Sequence, residues 1–179
     1  SKTTVGQNYP RLGELSSADP KPFKSRPANF FYVGGISRVR AFREPIQALS
    51  AINKETQKND TATLSICGSF SPDSLMLEAK SLSGWEHVKF NGWCDRERVK
   101  KELSQSIGGI VLFYDAPNNI YSQPNKLFEY MAGGIPVIAS NFPAWKEIIG
   151  KHNCGLVVDP QSADEVARAM KTLMDDRDR

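Results

Sequence analysis

The sequence predicts an α/β fold, a Rossmann-like doubly wound parallel sheet of about six strands. From Asn29 onward, short apolar segments alternate with segments of helical periodicity. Several apolar segments are nonpolar at successive positions, as strands covered on both faces are. Glycine closes the first two of them, after Val33 and after Cys67. Strands and helices in strict alternation build a parallel sheet with helices on both sides, and right-handed crossovers then favour the doubly wound topology.

The elements follow in order. Phe30–Val33 reads as a buried strand ended by Gly34-Gly35. Pro45 suits a helical first turn, with Ile46, Leu49 and Ile52 on one face. Ala62–Cys67 is a second strand, and Ser71-Pro72-Asp73 a helix start leading into Leu75–Ala79. Val88–Phe90 is a third strand; Asp95 caps a helix over Arg96–Gln105 carrying Val99 and Leu103. Ile110–Phe113 is a fourth strand. The loop Asp115–Pro124, rich in Asn and Pro, precedes a helix over Asn125–Ala132, which Gly133-Gly134 ends as a left-handed cap would. Pro136–Ala139 is a fifth strand, Ala144–Ile149 a short helix and Leu156–Val158 a sixth strand. Ser162 caps a last helix with Val166, Met170 and Leu173. Residues 1–28 carry four prolines and no useful period, which marks a linker or strap whose apolar points Val5, Tyr9, Leu12 and Leu15 could dock on a neighbouring surface.

Composition narrows the function. At 179 residues the chain buries a core without metal or disulfide staples. No apolar run approaches the roughly 20 residues of a membrane span. Cys67, Cys94 and Cys154 are odd in number and irregularly spaced, which reads as free thiols in a reducing, cytoplasmic setting. With two histidines, a His/Cys zinc site is not expected. A net charge of +3 is too weak for nucleic acid but compatible with an anionic small molecule or peripheral contact with anionic lipid.

Ligands of such sheets sit outside the strand carboxyl ends, so the loops after strands carry the chemistry. A dinucleotide site needs Gly-x-Gly-x-x-Gly after the first strand and an acid after the second, and neither is present. The aspartate cluster of a phosphate-receiving domain is also missing from these loops. The first loop instead reads Gly34-Gly35-Ile36-Ser37-Arg38-Val39-Arg40. Glycines let backbone amides approach a ligand, and guanidinium forks match phosphate oxygens. The plainer alternative is a tight turn with two solvated arginines. In the second region, Tyr121-Ser122-Gln123-Pro124-Asn125-Lys126-Leu127-Phe128-Glu129, a helix start presents free N–H groups. Lys126 lies in a first turn where the helix dipole disfavours a cation, and Glu129 follows one turn on. The plainer alternative is an exposed Lys126–Glu129 ion pair. Cations for a diphosphate plus a carboxylate for vicinal ribose hydroxyls describe a site for a nucleoside diphosphate derivative.

The segment Lys126-Leu127-Phe128-Glu129-Tyr130-Met131-Ala132-Gly133-Gly134-Ile135-Pro136-Val137-Ile138-Ala139-Ser140 resembles the signature of family-4 retaining glycosyltransferases (glycosyl transferases group 1) of the GT-B fold. Phe31–Ala41 resembles the first strand and loop of their C-terminal domain, and Cys154–Pro160 the segment after the signature. Leu64–Gly68 and Phe90–Trp93 also sit where that family expects them. The resemblance spans about 29–175. It implies the C-terminal half of a GT-B enzyme, with residues 1–28 arriving from an N-terminal domain that holds the acceptor. On that footing the domain by itself is expected to be inactive. It implies a UDP- or GDP-sugar donor, a saccharide or lipid-linked acceptor, retention of configuration, no metal or other cofactor, and surface polysaccharide synthesis at or near the inner face of the plasma membrane. By matching positions, Arg40 takes the place of the basic diphosphate ligand and, with Lys126, of the catalytic cations. Glu129 matches the ribose-binding glutamate of a Glu-x7-Glu pair. Gly34, Gly35 and the backbone around Ser122-Gln123-Pro124 approach the donor, and Trp93 either flanks the base or plugs the core. Two positions depart from the family. Tyr121 stands where the first Glu contacts the donor sugar, and Gly35 where an arginine often stands, a charge that Arg38 or Lys126 would supply. A nucleotide-sugar epimerase of the same fold and a binding-only nucleotide module are the alternative functions.

Overall fold

The computed structural model describes residues 10–11, 13–15, 21–55, 60–122 and 125–177. Its strands are β1 (Asn29–Val33), β2 (Thr63–Cys67), β3 (Val88–Phe90), β4 (Gly108–Val111), β5 (Val137–Ser140) and β6 (Gly155–Val158). All neighbours pair in parallel, in the order β3-β2-β1-β4-β5-β6. The order runs outward from β1 on one side, returns to the centre, and runs outward again from β4. The reversal between β1 and β4 leaves a crevice at their carboxyl ends, the position where such sheets bind ligands.

The helices are α1 (Arg43–Glu55), α2 (Ser74–Ser81), α3 (Arg96–Gln105), α4 (Pro117–Ile120), α5 (Asn125–Ala132), α6 (Pro143–His152) and α7 (Ala163–Asp175). They cover the sheet in two layers because β1 alternates its faces. Phe30 and Tyr32 join a core with Ile46 and Leu49 of α1, Leu75 of α2, and Met170 and Leu173 of α7. Phe31 joins a second core with Leu103 of α3, Leu127 and Tyr130 of α5, and Trp145 and Ile149 of α6. Burying these side chains removes about 1.5–3 kcal/mol of unfavourable hydration each.

The sequence reading of the architecture holds, and its edges shift. β4 ends at Val111 rather than Phe113, because Phe113 instead forms an antiparallel bridge with Arg40. β5 starts after Pro136, which has no N–H to add to a ladder. The loop predicted over 115–124 contains α4, with Pro117 in its first turn. Leu15 is buried in the second core beside Phe31, so it docks on this domain's own surface. Val5, Tyr9 and Leu12 lie outside the described residues.

The expectation of three free thiols is corrected. Cys67 and Cys94 form a disulfide with Cα atoms 5.5 Å apart, and Cys154 is the free thiol. Cys67 ends β2 and Cys94 sits in the loop after β3. These strands are parallel neighbours, so their carboxyl ends emerge side by side although the cysteines are 27 positions apart. Among the described residues no helix is long and apolar enough to cross a membrane.

Candidate functional site

At the β1/β4 reversal the structure brings together Gly34 of the first loop and Lys126 and Glu129 of α5. Gly34 follows β1 with φ of 124°, a backbone region that suits glycine. A Cβ added there would lie 3.3 Å from Cε of Lys126, so the first loop and α5 touch. Lys126 Nζ donates to both carboxylate oxygens of Glu129, at 3.1 and 3.3 Å. The ion pair of the plainer alternative thus forms, but it is largely covered rather than exposed. The Glu129 side chain is 17% exposed, and its charge balances Lys126 at the floor of the crevice.

A second link fixes α5 against the sheet. The hydroxyl of fully buried Tyr130 accepts the N–H of Val33 at 3.0 Å, at the end of β1. Its ring lies where a Cβ on Gly109 would stand, 2.4 Å from the nearest ring carbons, so glycine in β4 makes the space. Burial raises the Tyr130 pKa well above its ordinary value, which keeps the phenol neutral.

Arg40 follows in the same loop, opposite Phe113 beyond the end of β4. Backbone bonds Ala41 N–H to Leu112 O (3.1 Å) and Tyr114 N–H to Val39 O (3.0 Å) bracket its bridge with Phe113. Its guanidinium carbon lies 3.5 Å from the centre of the Phe113 ring. Burial lowers the Arg40 pKa, but a guanidinium remains charged at neutral pH. Among the described residues no carboxylate pairs with Arg40, whereas nearby Arg43 pairs with Glu78. Arg38 is exposed beyond the turn.

The other wall is the segment after β4. The Trp145 indole N–H donates to the carbonyl of Ser122, and its ring packs edge-on against Phe113 at 5.3 Å. Tyr114 hydroxyl donates to the buried Glu44 carboxylate (2.9 and 3.0 Å) and accepts from Arg43 (3.2 Å). Tyr121 is 84% exposed. Gln123 and Pro124 lie outside the described residues.

Trp93 is 83% exposed, which overturns the core-plug alternative. It stands at one rim of an open apolar hollow of about 620 Å³ with Phe70, Met76, Leu77 and Phe90. The disulfide at Cys94 ties this rim to β2. Two features thus stand at the strand ends: the Gly34–Lys126–Glu129 contact, with the Arg40–Phe113 stack in the same first loop, and an open apolar hollow beside Trp93. Sequence reasoning missed Phe113 and the fully buried Trp145 and Tyr130, which support the loops at the strand ends from beneath. Their signal was a run of aromatic residues at strand ends and helix starts, which in one dimension reads only as core.

A family model described as glycosyl transferases group 1 matches residues 16–179. The chain is 32% identical over 95 residues to glucosyltransferase 3 of Streptococcus gordonii, covering 49% of this chain and 27% of that protein. Its fold matches the C-terminal domain of a glycosyl transferase group 1 family protein (LpcC) from Francisella tularensis, with a TM-score of 0.67 and 20% identity over 90% of this chain and 85% of that one. It also matches Anabaena Alr3699/HepE, solved in complex with UDP-glucose, with a TM-score of 0.75 and 15% identity over 96% of this chain and 47% of that one. The chain thus spans about a quarter of the length of the glucosyltransferase and about half of the Anabaena protein.

Proposed function

Because the chain belongs to the group 1 glycosyl transferases, we propose that it is the donor half of such an enzyme and holds a UDP- or GDP-sugar in the β1/β4 crevice. The observation that carries this reading is the contact of Gly34 with Lys126, itself paired with Glu129, at the strand reversal whose ends also carry the Arg40–Phe113 bridge. The Anabaena protein of the same fold, which binds UDP-glucose, adds support.

In this reading the diphosphate enters between Arg40 and the Gly34–Gly35 backbone. Lys126 turns from Glu129 to a phosphate oxygen, at little cost because an i,i+3 pair is worth a few tenths of a kcal/mol. That frees the Glu129 carboxylate to accept two ribose hydroxyls. The base lies toward the Trp93 hollow and the sugar toward Tyr121, with Ser122 along its path. As the glycosidic C–O bond breaks, negative charge gathers on the leaving diphosphate. Cations already in place around it lower the barrier. An acceptor hydroxyl, on a saccharide or lipid-linked glycan held by a separate domain, attacks the sugar on the face the diphosphate leaves and passes its proton to the departing phosphate oxygen, so configuration is retained. Arg40 and Lys126 carry the charge a metal would otherwise carry, and turnover unaffected by EDTA is the expected result. Surface polysaccharide assembly on the cytoplasmic side of the membrane is the setting proposed for it.

Calorimetric titration of the chain with UDP, GDP, ADP, CMP and their sugars tests the binding step. At least one nucleoside diphosphate should bind, and Glu129→Ala should weaken it about tenfold or more, the worth of hydrogen bonds to a charged group. Equal affinity would remove Glu129 from the ribose. A binding-only module draws on Tyr121, which stands exposed where a carboxylate would contact the sugar. Binding of a sugar nucleotide without transfer by the longer protein would decide for it.

A further inference from the structure

We propose that Phe113 is a positioning residue, an aromatic platform that presets Arg40 for a pyrophosphate; this deepens the donor-site reading above and rests on it. The guanidinium of Arg40 lies 3.5 Å over the ring centre. A ring face attracts the cation through its quadrupole and takes up none of its N–H donors. A carboxylate partner would hold Arg40 as well, but it would cancel the charge and occupy the fork. The difference is visible nearby: Arg43 is spent on Glu78 and on the Tyr114 hydroxyl, whereas Arg40 meets no carboxylate among the described residues.

The platform is itself held from every side. Buried Ser140 clamps the backbone of Phe113 twice: its hydroxyl accepts the Phe113 N–H at 2.8 Å and donates to the Phe113 carbonyl at 2.9 Å. Trp145 backs the ring edge-on, and Phe142 backs Trp145 at 5.0 Å in turn. The antiparallel bridge sets Arg40 directly opposite, where paired residues project their side chains together. Trp145 also holds the Ser122 carbonyl. One aromatic stack therefore joins the cationic loop to the opposite wall of the crevice. A long side chain so restrained loses little freedom when a ligand arrives.

The test compares inorganic pyrophosphate, UDP and GDP with uridine and guanosine by calorimetry, on the wild type, Phe113→Leu, Arg40→Ala and the double variant. Phe113→Leu should weaken the diphosphate-bearing probes about 2- to 30-fold, the range of a cation–π contact, and leave nucleoside affinity unchanged. On the Arg40→Ala background it should have no further effect, because the two residues act as one unit. Parallel loss for nucleosides and diphosphates, or additive effects, overturns the role of Phe113 and leaves the nucleotide reading standing. A wild type that binds none of the probes overturns both. Should Phe113→Leu fail to fold, the Arg40 Nε–H resonance of the wild type decides: an upfield ring-current displacement supports the platform, and an undisplaced resonance overturns it.

Discussion

Arg40 and Arg43 are three positions apart and chemically identical, and their surroundings divide them. Arg43 is neutralised by Glu78, which raises its pKa, while Arg40 lies over the Phe113 ring and meets no carboxylate among the described residues. Arg40→Ala should therefore reduce nucleoside diphosphate affinity about tenfold or more, and Arg43→Ala should act chiefly on stability; titration and urea melts of the two variants check this. The cysteines divide in the same way. Under non-reducing conditions alkylation and mass spectrometry should count one reactive thiol, Cys154, and three after reduction. Burial pushes the Cys154 thiol up from its ordinary pKa, so its alkylation should be slow at neutral pH and quicken as pH rises.

Among the elements, two helices begin with aspartates that read alike in sequence. Asp95 accepts the Arg98 N–H at 2.8 Å and caps α3, whereas Asp73 sits in helical geometry before α2 and makes no side-chain cap bond. Asp95→Ala should cost about 1 kcal/mol and Asp73→Ala a small fraction of that, by urea midpoint. The seat of α5 depends on β4. Gly109→Ala would drive a methyl group into the Tyr130 ring, costing about 1–3 kcal/mol by overpacking. It would also disturb the Tyr130–Val33 bond that sets Glu129 beside the end of β1. Loss of nucleotide affinity beyond the loss of stability, measured well below the melting midpoint, is the expected signature.

Across the whole molecule, the Asn29 network and the proposed donor site lie at opposite ends of the strands. At the amino-terminal edge Asn29 accepts from Thr63 (3.0 Å) and Ser65 (3.1 Å) and donates to Ser106 (2.9 Å), tying β1, β2 and the start of β4. Asn29→Ala leaves these hydroxyls without that partner and should cost about 1–3 kcal/mol, with nucleotide affinity unchanged; a melt and a titration on one sample check both. The alternation of strands and helices, the two-faced apolar strands and the span of α5 over Asn125–Ala132 were all legible in the sequence, because they depend on periodicity and neighbouring residues. Gly34, Arg40, Lys126 and Glu129 stood out as site candidates because Gly34 and Arg40 lie in the loop after the first strand, Lys126 in a helix first turn and Glu129 one turn on. The pairing of Cys67 with Cys94, the exposure of Trp93 and the stacking of Arg40 on Phe113 were not legible. Each depends on which strands become neighbours, and a parallel sheet sets residues side by side that are far apart along the chain. Local chemistry determined the elements and their chemical tools; only strand order decided which tools share one crevice.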